Sequence, residues 1–133
     1  MHLFHFENLA WLAGIDIRKR RNWDFAGMWY PDRSLIALNH DLTADKERCV
    51  LAHELAHAAL GHDCDDGPNE RAADQWAANL LLTAEQVARC ARIWPDNPEK
   101  WCEELEVTSD ILKAWMEQPA NYAQAERRLW LAS

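Results

Sequence analysis

The sequence predicts an α+β fold: a small, mostly antiparallel N-terminal sheet packed on a buried helix, followed by a helical C-terminal half. Three observations carry this expectation. The apolar runs AGMWY (26–30) and SLIAL (34–38) flank the turn residues Pro31-Asp32-Arg33, which is the pattern of a hairpin. The stretch CVLAHELAHAAL (49–60) is almost wholly apolar, and a helix apolar on every side is a buried one. Beyond it, helix-starting and helix-ending residues recur up to the last residues of the sequence.

The elements follow in order. FHFENLAWLA (4–13) sets Phe4, Leu9, Trp11 and Leu12 among polar residues, as a short amphipathic helix does, and Gly14 is a plausible stop. IDIRKRRN (15–22) alternates weakly and reads as an edge strand carrying charge. Thr43 reads as an N-cap, with Asp45 and Glu47 in the first turn where the helix dipole favours acids. Gly61 ends that helix. HDCDDGP (62–68) is a polar loop, and Pro68 fits the first turn of a second helix running through NERAADQWAANLLL. Thr83-Ala84-Glu85-Gln86 is a capping-box pattern, and its helix runs to about Trp94, before Pro95. PDNPEK (95–100) is linker-like, and WCEELEV, TSDILKAWMEQ and NYAQAERRLWLA follow as helices. Residues 1–133 are expected to form a single domain, with 1–94 as its core and 95–133 as a helical extension; neither an internal repeat nor a low-complexity tract interrupts it.

Composition narrows the function. Hydrophobic residues at 49% and charged residues at 27% suit a globular protein, and 133 residues bury a real core. A net charge of −8 repels nucleic acid and anionic membranes. No apolar run approaches bilayer length, and the basic residues near the start follow the apolar ones, the wrong order for a secretory signal. Four cysteines without a CxxC pair read as reduced thiols, so the expected location is cytoplasmic.

The chemistry lies in His53-Glu54-Leu55-Ala56-His57, an HExxH motif. On a helix, residues four apart share a face, so both imidazoles can point at one metal ion. Glu54 is rotated about 100° from His53 and flanks the ion, where a general base for an attacking water belongs. Two histidines and a glutamate in an apolar helix need partners, and a metal ion serves all three. A catalytic zinc ion takes three protein ligands and keeps a fourth position open. Glu70 is the best third ligand, beyond a loop containing Gly61 and Gly67 that lets its helix fold back. Asp74 lies one turn further on the same face and can accept the outer N–H of a ligand histidine. His62, Asp63, Cys64, Asp65 and Asp66 compete from the loop. On a continued helix, however, His62 faces away from His53. The metzincin pattern HExxHxxGxxH is broken, because Leu60 and Asp63 stand where its glycine and third histidine belong.

HELAHAALGH followed by NERAADQWAANLLLT resembles the ImmA/IrrE family of metallopeptidases, with Trp76 where that family usually has Phe. The preceding hairpin and the later ELEVTSDILKAW are similar too, so the likeness spans roughly residues 26–118. The resemblance implies a gluzincin-like site on a zincin-like fold: zinc held by His53, His57 and Glu70, with Glu54 as base. Family members cut helix-turn-helix repressors of mobile elements or stress responses, and the resemblance makes such a repressor the leading substrate.

Weaker signals remain. Residues 105–111 look like a helix-turn-helix corner, but 99–117 is strongly acidic, so a structural pair or a protein-docking surface is expected rather than DNA contact. Arg18-Lys19-Arg20-Arg21 reads as edge-strand protection more than a dock for an acidic substrate. Most of the eight tryptophans are expected in the core and at helix contacts. Tyr30, His40, His62 and Tyr122 are all chemically able to stabilise an oxyanion. SLIAL is the candidate edge strand for a bound peptide. The expected activity is zinc-dependent endopeptidase; the alternatives are a non-catalytic repressor-binding protein and a DNA-associated regulator acting through residues 101–117. An intact Glu54 favours the enzyme.

Overall fold

Residues 3–64 and 66–132 are described by the computed structural model. The first helix, α1 (Leu3–Leu12), buries Phe6 and Ala10 completely and Leu9 in part. Trp11 and Leu12 stand on its solvent side. The buried stripe is therefore Phe6, Leu9 and Ala10, one turn apart. Gly14, at φ +75°, turns the chain out of the helix.

Strands β1 (Asp16–Arg20), β2 (Gly27–Tyr30) and β3 (Leu35–Asn39) form a sheet of order β1-β3-β2. β2 and β3 are the expected hairpin, joined by a 3-10 turn at Pro31–Arg33, with Tyr30 opposite Leu35. β1 pairs with β3 in parallel, from Asp16 opposite Leu35 to Arg20 opposite Asn39. The sheet is thus mixed, not mostly antiparallel. The cause is the short connector 21–26, which crosses the end of β3 and starts β2 on its far side. Asn39 holds that crossing: its Nδ2 donates to the carbonyls of Trp23 at 2.8 Å and Phe25 at 2.9 Å. The hairpin then returns β3 to the middle, alongside β1 and in its direction. The charged β1 is an edge, as expected, but so is β2, and SLIAL is central with both sides paired.

Helix α2 (Ala44–Ala59) starts at Thr43, whose hydroxyl accepts from Lys46 N at 3.4 Å. Leu51, Ala52 and Ala56 are fully buried in it. It lies close against the sheet at Gly27, where a Cβ would come within 2.5 Å of Val50 Cγ1 and 3.4 Å of Glu54 Cγ. Only glycine admits that approach, because the β-branched Val50 has little freedom to retreat. An ion pair between Lys19 of β1 and the buried Glu47 ties the other edge to the same helix.

Gly61, at φ +71°, ends this helical run. Helix α3 (Gly67–Leu81) is capped by Asp66, which accepts from Asn69 N at 2.8 Å. Ala73, Ala77 and Ala78 are fully buried along it and hold its neighbours apart by no more than a methyl group. The capping box at Thr83 forms as expected and opens α4 (Ala84–Ile93).

Helices α5 (Pro98–Leu105), α6 (Ser109–Met116) and α7 (Pro119–Ala132) complete the described chain; α6 packs on α3, and α7 on α4. Between α5 and α6, Glu106 takes a left-handed conformation at φ 56°. Arg48 of α2 braces that corner, donating to the carbonyls of Leu105 at 3.3 Å and of Glu106. The corner is therefore fastened to α2 and opens onto the cleft described below. Of the eight tryptophans only Trp115 is fully in the core; Trp29, Trp76 and Trp101 pack against it, and Trp11 and Trp130 are exposed.

Candidate metal centre and its cleft

Helix α2 presents His53 and His57 on one face, and α3 brings Glu70 to them. His57 Nε2 lies 3.1 Å from His53 Nε2 and 2.9 Å from Glu70 Oε1, and His53 Nε2 lies 3.0 Å from Glu70 Oε2. All three ligand atoms fall within 4.8 Å of one another. Zinc bonds of about 2.0–2.2 Å in a tetrahedron imply ligand atoms roughly 3.3–3.6 Å apart, close to these separations. The donor set gives the same answer. Two imidazole nitrogens and a carboxylate converge on one point, a donor set that a divalent cation between them would satisfy. These residues fit a metal ion.

Asp74, one turn beyond Glu70, accepts from His53 Nδ1 at 2.8 Å. This fixes the His53 tautomer and leaves Nε2 for the ion. Burial depresses the His53 pKa, but the Asp74 hydrogen bond and the charges of Glu54, Asp74 and Glu70 together outweigh it and raise the pKa to about 8. Proton and metal compete for the same nitrogen, so metal affinity is expected to climb with pH up to about 8 and level off above it. Chelator competition across pH measures this, and a flat profile below pH 8 contradicts it.

Glu54 is buried and lies outside the ligand triad. It lines a cleft of about 610 Å³ together with His53, Glu70 and Asp74. One wall of the cleft is Phe25 to Met28, at the start of edge strand β2; the other is Thr108 to Ile111, at the start of α6. Gly27 makes the first wall possible, since its missing side chain leaves room beside Glu54. The larger apolar hollow between α4 and α7, lined by Val87, Trp101 and Tyr122, contains none of the five site residues.

Every residue assigned to the site from sequence is brought together here: His53, His57 and Glu70 at the point of convergence, Glu54 beside them and Asp74 behind. His62 is outside the triad, but Gly61 leaves the helical path and brings its Nδ1 to 2.9 Å from the outer nitrogen of His57, Nδ1, a contact that the continued-helix reading did not include. A glycine directly before a histidine at a helix end was the available signal. Asp63, Cys64 and Asp66 stay outside the triad, with Asp66 occupied in capping α3; Asp65 lies outside the described residues. None of Tyr30, His40, His62 and Tyr122 lines the cleft. Sequence reasoning did not place Thr108 to Ile111 at the site, although a protein-docking surface was among its readings of that corner.

Substitutions should separate the ligands. Glu70→Ala is expected to weaken zinc binding strongly, since it removes one of three protein ligands. Asp74→Asn should cost roughly ten- to a hundredfold in affinity. Changes at Asp63, Cys64 or Asp66 should leave zinc in place. Zinc released by a loop substitution but retained by Glu70→Ala would move the third ligand into the loop.

A sheet-backed helix pair converging two histidines and a glutamate beside a second, buried glutamate defines a metallopeptidase-like domain. The model of the IrrE N-terminal-like domain, a peptidase family, matches residues 12–114. That is well over half of the chain, which belongs to the ImmA/IrrE family. No curated protein matches the chain. Among the described residues, no helix is long and apolar enough to cross a membrane.

Proposed function

We propose that the protein is a zinc-dependent endopeptidase of zincin-like architecture, comprising one domain, whose substrate is a helix-turn-helix repressor of a mobile element or stress response. The observation that carries this reading is the placement of buried Glu54 in the same cleft as His53 and Glu70 of the triad, beside the edge strand β2. His53, His57 and Glu70 would hold the ion. When bound, zinc would supply Lewis acidity toward a peptide carbonyl and toward water.

The chain's own groups do the rest. The edge of β2 offers backbone N–H and C=O groups to an extended peptide, in the role that SLIAL cannot fill. Glu54 takes a proton from the attacking water, whose oxygen bonds to the carbonyl carbon. The C–N bond then breaks, and Glu54 returns the proton to the departing amine. Asp74 keeps the His53 ring oriented throughout. The acidic cleft favours a protein substrate over nucleic acid.

The test is digestion of helix-turn-helix repressors encoded beside this gene, with fragments mapped by mass spectrometry. Cleavage is expected with zinc, lost on chelation and restored by adding zinc back. Repressors that stay intact in the presence of the zinc-loaded protein would contradict the substrate assignment.

A further inference from the structure

We propose that His62 is a positioning residue for the metal centre, accepting a hydrogen bond from His57 Nδ1 and so turning His57 Nε2 toward the ion. This rests on the metal-centre reading above and extends it to a residue outside the ligand set.

The backbone delivers His62 by a specific device. Gly61 adopts φ +71°, its N–H reaches Ala58 O at 3.3 Å, and His62 N donates to His57 O at 2.9 Å. Such a turn satisfies the last carbonyls of α2, and here it also lays the His62 side chain against the end of the helix. The two Nδ1 atoms are 2.9 Å apart, and the rings meet at 63° with centroids 5.1 Å apart, so they touch through nitrogen and are not stacked.

The proton inventory sets the direction. A neutral imidazole carries one N–H and one lone pair. His57 Nε2 sits among the ligand atoms, 2.9 Å from Glu70 Oε1, and needs its lone pair there. The His57 proton is therefore on Nδ1, facing His62. His62 Nδ1 accepts it, and His62 carries its own proton on Nε2. His57 is 1% exposed, so water is a poor substitute for this acceptor.

The two ligand histidines thus have unlike supports. His53 leans on the carboxylate of Asp74, and His57 on the ring of His62.

The test uses the full chain and zinc affinity by chelator competition. The melting temperature of the metal-free protein is read in parallel. His62→Phe keeps a ring but loses the acceptor, and its affinity should fall by on the order of ten- to a hundredfold. His62→Asn puts an oxygen at the same bond distance from Cβ as Nδ1 and should stay within about threefold of wild type, well inside the range of an outer-sphere loss. Metal-free melting temperatures should match across the set. Wild-type affinity in His62→Phe overturns the proposal, as does His62→Asn falling as far as His62→Phe. Retention of stoichiometric zinc by His53→Ala would instead overturn the underlying metal centre, so the two failures are distinct.

Discussion

Replacing Glu54 with glutamine is expected to leave zinc bound and the fold intact while cutting hydrolysis by about 10²–10⁴-fold. Glu54 is buried beside the triad but is not part of it. Glutamine keeps its length and branching, so the contact with the Gly27 wall survives. What is lost is the carboxylate that takes and returns the proton. Single-turnover cleavage of an identified substrate, with zinc content measured on the same samples, separates this from loss of metal. A Glu54→Gln variant that cleaves at the wild-type rate would make Glu54 structural and remove the proposed mechanism.

His57→Ala is expected to abolish stoichiometric zinc binding and with it the stabilisation that zinc confers. His57 is the most enclosed of the three ligands, and its Nε2 faces both other ligand atoms. A ligand present at a thousand times its Kd stabilises the folded state by about 4 kcal/mol. Wild type should therefore melt higher when zinc is added, and His57→Ala should not respond. A variant whose melting temperature still rises with zinc would place the ion elsewhere. The comparison within one variant, with and without zinc, sets aside any loss of packing caused by the substitution itself.

The parts of the molecule legible in the sequence are those governed by short-range rules. The i and i+4 spacing of His53 and His57 needs only helical geometry, and Glu70 with Asp74 repeats that spacing on the next helix. Linking the pairs needed one inference, that the Gly61 to Pro68 loop reverses the chain, and buried alanines on α3 then allow close approach. Thr43, Asp66 and Thr83 act as caps because capping is local.

The strand order and the place of the 105–111 corner were decided by contacts distant in sequence. The strand order depends on a crossing connector held by the side chain of Asn39, sixteen residues after Trp23, and no alternation pattern reports that. The His62–His57 contact is instead local: the helical rotation stops at Gly61, where the backbone turns left-handed. The corner at 105–111 was legible as a helix-turn-helix-like pattern, but its place beside the site was not. Its position over the cleft is set by Arg48, which binds the Leu105 and Glu106 carbonyls from another helix.

The central claim is that His53, His57 and Glu70 form one zinc site, and elemental analysis of the intact chain tests it most directly. After exposure to zinc and exhaustive dialysis against metal-free buffer, the protein is predicted to retain about one zinc per chain. A folded chain that retains no zinc under those conditions would contradict the account.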